Sequence, residues 1–118
     1  MAKEKDEAIL TATGFFGGSN MKGTYDVDLM MKFPEEQLTN AVQFIASIGK
    51  QLKIIAYVNE LKMKLGTFRI HSIAIDRDAN SKIKFKSMID NCDVNCISQL
   101  MINEETPIVL KAKIVETE

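Results

Sequence analysis

Glu60-Leu-Lys62 has the E-x-K spacing that some metal-dependent nucleases use to gather a carboxylate and an ammonium around a divalent ion. That chemistry needs a second carboxylate on a neighbouring strand, and only Asp26 and Asp28 are placed to offer one. Paired acids on an alternating segment read more simply as a solvated strand face. Asp76, Asp78 and Asn80 match the first, third and fifth oxygen ligands of a calcium loop, but Ser81 replaces the turn glycine and Ser87 the bidentate Glu. An Asp/Asn-rich hairpin turn fits better. The glycine-rich stretch from Gly14 to Thr24 suggests a phosphate loop until Lys22-Gly23-Thr24, which inverts the Gly-Lys order and runs into a strand pattern.

Cys92 and Cys96 lie four apart, and the single histidine, His71, leaves them without the further ligands of a zinc site. They read as free thiols of a reducing compartment. With one His and no nucleophile-elbow Ser, hydrolytic triads have little to work with. The sequence therefore points away from an enzyme and requires no metal or cofactor.

Charge is the stronger lead. Residues 50–87 carry nine Lys or Arg against three acids, a local balance of +6 in a chain of net charge -1. Residues 1–49 and 88–118 hold the compensating acids. A like-charged run must be kept on a solvated face, where it attracts anions, and a bipolar chain can also pair with copies of itself.

The elements that must position these charges follow from hydrophobic period. Residues 1–7 read as a charged tail and 8–118 as one domain, long enough to bury a core. No apolar run approaches the roughly 20 residues of a membrane span, and the charged start is unlike a secretion signal, so a cytoplasmic protein is expected. Ala8–Phe16 reads as a first strand stopped by Gly17-Gly18, and Tyr25–Phe33 as the second strand of a hairpin. Pro34 opens and Gly49 closes a helix of about 35–48 with Leu38, Ala41, Val42, Ile45 and Ile48 on one stripe.

Strands then follow at Leu52–Val58, Leu61–Leu65 and Thr67–Ile75. The apolar parity changes twice in the last two, which predicts bulges near Gly66 and near His71-Ser72. Lys82–Ile89 returns as a strand, with Ile75 opposite Ile83 and Ile73 opposite Phe85. Asp93 or Asn95 caps a short second helix near 94–102, with Val94, Ile97, Leu100 and Met101 inward, and Ile108–Val115 is the last strand.

The layout is that of an α+β domain, a mostly antiparallel sheet packed on one face by a single main helix. The other face carries Lys53, Tyr57, Lys62, Lys64, Arg69, Lys82, Lys84 and Lys86. The sequence favours a protein partner or self-association there, as an inhibitor, adaptor or assembly component; the alternative is single-stranded nucleic acid, with Tyr57 as the stacking surface. Lys64–Ile70 followed by Ile73–Ser87 resembles strand–turn–strand stretches of small phage and prophage accessory proteins. The resemblance covers about a fifth of the chain and implies an accessory role without assigning any residue.

Overall fold

The computed structural model describes residues 9–22, 26–102 and 105–115. The expected tail over 1–7, Ala8 and Tyr25 lie outside the described residues. The described residues form six antiparallel strands: β1 (Ile9–Lys22), β2 (Asp26–Phe33), β3 (Gln51–Val58), β4 (Leu61–Ile75), β5 (Ser81–Met88) and β6 (Ile108–Val115). With two helices, α1 (Leu38–Val42) and α2 (Val94–Ile102), they make an α+β fold. The sheet does not stay open beneath a helix. It closes on itself in the order β1-β2-β5-β4-β3-β6, with β6 returning to β1.

Closure follows from two strands about twice as long as the rest. β1 has 14 residues and β4 has 15, against eight in each other strand. The first part of β1 pairs with β6 and the second with β2, while β4 pairs first with β3 and then with β5. A strand serving two neighbours on opposite sides must bend, and an extra unpaired residue lets it do so without turning its apolar face outward. Such irregularities occur between Phe16 and Gly18, opposite Ile54-Ile55 where Leu65 is passed over, and between Ile70 and Ser72. The last two are the bulges that the parity changes predict. The first corrects the sequence reading: Gly17-Gly18 bends the strand instead of stopping it.

The β4–β5 register differs from expectation by two residues. Ile75 faces Ser81, Ile73 faces Ile83 and Ile70 faces Phe85. A two-residue shift preserves the inward set, so hydrophobic parity alone could not separate the registers.

The barrel has one inside, and it is filled. Leu29, Met31, Leu52, Ile54, Leu65, Ile83 and Leu110 are fully buried there, with Ala12, Ala56 and Ala112 taking the narrow places. The segment between β2 and β3 packs over the barrel as a plug, because those strands are three places apart around the ring. It is not the single helix expected over 35–48. A 3-10 turn (Glu35–Gln37), one turn of α1 and a second 3-10 stretch (Gln43–Ser47) succeed one another.

The 3-10 repeat of three residues changes which side chains point inward. Ala41, Phe44 and Ser47 are buried at that spacing, whereas Ile45 and Ile48 of the expected stripe are exposed. Phe44 stacks on Phe33 at 6.5 Å and meets the edge of Phe85 at 6.1 Å, and Phe85 in turn meets Phe68 at 6.4 Å. This aromatic chain joins the plug to three strands, each pair adding about 1 kcal/mol to its burial. Gly49 ends the plug at φ +91°.

α2 covers β4 and β1, burying Ile97 and Leu100, while Met101 is exposed and not inward as its spacing suggested. Asp93 caps it: Oδ1 accepts from the backbone N–H groups of Asn95 at 3.0 Å and Cys96 at 3.2 Å. No helix among the described residues is long and apolar enough to cross a membrane.

Gly66 ties α2 to the barrel. Its φ is +122°, it bridges Cys92, and a Cβ there would fall on Asn91 O and Cys92 Cα. The Asp93 N–H donates to Leu65 O at 2.8 Å beside it. Gly66→Ala is expected to destabilise the fold by about 2 kcal/mol or more, since it adds a backbone clash to left-handed strain. Gly49→Ala, where the same position opens onto free space, should cost about 1 kcal/mol. Urea unfolding midpoints check the ranking.

Candidate anion-binding wall

Outward positions on four neighbouring strands, β4-β3-β6-β1, form a grid fixed by the ladder registers. Its rows are Lys62–Tyr57–Val109–Thr13, then Lys64–Ile55–Lys111–Thr11, then Thr67–Lys53–Lys113–Ile9. None of these positions holds an acid. The five lysines are exposed, while Tyr57, Ile55 and Val109 are half-buried between them. Alternation explains the arrangement: Leu52, Ile54, Ala56, Ile108, Leu110 and Ala112 take the barrel interior, which turns each intervening side chain outward.

The wall is grooved. A cavity of about 580 Å³ is lined by Lys53, Tyr57, Lys62, Lys64, Lys111 and Lys113, with Ile9 at its edge. Lys111 Nζ stands 5.4 Å from the centroid of the Tyr57 ring, a cation–π contact that fixes both groups. Lys53 and Lys113 are directly opposite across β3 and β6.

The eight residues singled out from the sequence do not share one face. Lys53, Tyr57, Lys62 and Lys64 belong to this wall. Lys82, Lys84 and Lys86 lie on β5: Lys86 stands between Asp28 and Arg69, Lys84 between Met30 and Ser72, and Lys82 between Lys32 and Ala74, while Arg69 also pairs with Gln51 of β3, one row beyond Thr67–Lys53. The two groups sit on successive strand pairs of the closed barrel and meet at Arg69, which faces Gln51 on one side and Lys86 on the other. This second group borders a buried acid, Asp28, 7% exposed, and it lacks Tyr57; Phe15 is half-buried opposite Lys32. From the opposite edge, β6 brings Lys111 and Lys113 to the wall. The sequence reading overlooked them because they sit in a segment of net negative charge. The alternation Ile108, Leu110, Ala112 against Lys111, Lys113 was the available signal.

The other chemical candidates dissolve into local structure. Glu60 sits in the exposed β3–β4 turn, and β5 separates Asp26 and Asp28 on β2 from β4. Asp76 Oδ1 accepts from the N–H groups of Asp78 at 2.9 Å and Asn80 at 3.1 Å, as in a hairpin turn. Gly14 to Lys22 of the glycine-rich stretch belong to β1, the rest lying outside the described residues, and His71 is exposed at its bulge. Among the described residues no three His, Cys, Asp or Glu side chains gather closely enough to hold a metal.

Cys92 and Cys96 are half-buried free thiols beside α2. Burial raises both above the usual thiol range, and the Asp93 carboxylate adds to the rise in each; a Ser87 hydrogen bond partly offsets it at Cys92. Such thiols are poor nucleophiles near neutrality. Because the folded-state values are raised, the unfolded chain ionises first, so this contribution to stability is present below the ordinary thiol range and is lost as pH climbs through it. Asp93→Asn keeps a capping side chain and removes the charge. Iodoacetamide alkylation of the folded chain should begin at higher pH than for free cysteine, and Asp93→Asn should move its midpoint down.

No protein-family model matches the sequence, and no curated protein matches it either.

Proposed function

We propose that the chain is a non-catalytic binding protein that takes an anionic macromolecule onto the β4-β3-β6-β1 wall. One observation carries this reading: five lysines surround a half-buried tyrosine on neighbouring strands, with no acid at any of the grid positions. Such a surface concentrates positive potential, steers anions toward it and repels cationic faces. It sits on a closed barrel whose strands are rigidly paired, so the lysine stems need little backbone ordering on binding. An accessory protein acting by interaction suits this design.

The wall and the β5 lysines make different predictions. Lys62→Glu/Lys111→Glu should weaken binding to immobilised heparin at least about tenfold at low salt, since each charge near an anionic surface is worth about 1 kcal/mol. Lys82→Glu/Lys84→Glu, an equal change of charge on the other side, should weaken it much less. Elution salt measured on folded variants decides; equal losses, or no retention of the unmodified chain, would sink the proposal.

A further inference from the structure

We infer that the occupant of the wall is single-stranded nucleic acid, held by its phosphates on the lysines and by one base on Tyr57. This rests on the reading of the wall as an anion site and goes beyond it by naming the anion. The grid has a centre line and two rails. Tyr57 and Ile55 run along β3, flanked by Lys62 and Lys64 on β4 and by Lys111 on β6, with Val109 extending the apolar centre toward β1. Lys62 and Lys64 are two residues apart on one strand face, so their stems are about 6.7 Å apart, and the rails are separated by two strand spacings, roughly 9.6 Å.

A strip of aromatic and aliphatic surface this narrow, edged by cations, matches a polymer that alternates a flat apolar face with a charge. An unpaired base can lay its ring on Tyr57 while its phosphates reach one rail. A duplex keeps its bases stacked on one another and shows only their edges, which a wall of lysine and threonine is poorly equipped to read. An acidic protein surface is the weaker match. Lysine is depleted in the cores of protein interfaces, where aromatics carry much of the energy, and this grid has five lysines and one aromatic ring, with the single Arg69 a row beyond it. Thr11, Thr13 and Thr67 are the only uncharged hydrogen-bonding groups besides Tyr57, so little sequence preference is built in.

Lys111 adds a second feature. Its cation–π contact already occupies the Tyr57 ring from one side. A phosphate drawing the ammonium toward itself frees ring surface for the base, which couples the two contacts. Loss of Lys111 should therefore cost more than loss of Lys113, although both are lysines of one strand.

Fluorescence anisotropy with a labelled oligothymidylate, the matching RNA and a hairpin duplex, each competed with poly-glutamate, tests this on the full chain. Single strands should bind more tightly than duplex, and log affinity should fall with log salt at a slope of about -2 to -3.5, the range for three to five phosphate contacts. Tyr57→Ala should weaken binding by about tenfold with the slope unchanged, and Tyr57→Phe should restore it. Lys62→Gln should lower the slope by about 0.7. If poly-glutamate competes as well as the oligonucleotide and Tyr57→Ala has no effect, the wall is an anion site for proteins and this inference falls alone. Duplex bound as tightly as single strand also overturns it. No binding of any anion at low salt removes the proposed function as well.

Discussion

A closed barrel admits a single interior, and every other feature of this chain answers to that constraint. Six strands must turn their apolar sides to one narrow space, so each strand's opposite side is fixed as exterior. The two long strands carry the difficulty, because each passes from one neighbour to another and bends on the way. The glycines and bulges of β1 and β4 are where that bend is accommodated, and they keep Phe16, Leu65, Phe68 and Ile70 inside despite the changes of phase. Without them the alternation would carry half of each long strand to the wrong side.

Much of this was legible from residue order. Strand positions, the pairing of β1 with β2, the second helix with a cap at Asp93 or Asn95 and two of the three irregularities follow from period and parity. Closure was not legible, because hydrophobic alternation reports that a residue faces inward and is silent on whether the sheet's edges meet. The plug misled for a related reason. Leu38, Ala41, Val42, Ile45 and Ile48 fit a 3.6-residue stripe, yet the space over the barrel mouth selects the spacing Ala41, Phe44, Ser47, and a large aromatic side chain outweighs two isoleucines for the single deep position.

The same distinction governs the site. Identity and exposure of the individual lysines could be read strand by strand, but neighbourhood depends on which edges pair. Local charge along the chain gathered Lys82, Lys84 and Lys86 with Lys53 and Lys62. Pairing across β3 and β6 gathered Lys53 with Lys113, and Ile55 with Lys111, from a segment whose own sum is negative. Composition measured along a chain and charge measured across a surface are different quantities, and only the second acts on a ligand.

The ladder between β1 and β6 joins Ile9 to Lys113, two positions at opposite ends of the described chain. Pairing so remote in sequence is slow to form, and until β6 arrives both β1 and β3 present bare hydrogen-bonding edges to any neighbouring chain. β6 also delivers Lys111 and Lys113. The strand that removes those open edges is thus also the strand that finishes the lysine wall, so a chain interrupted before its last element keeps bare edges and lacks the wall's outer lysines, and completion of the surface becomes a report of completed folding.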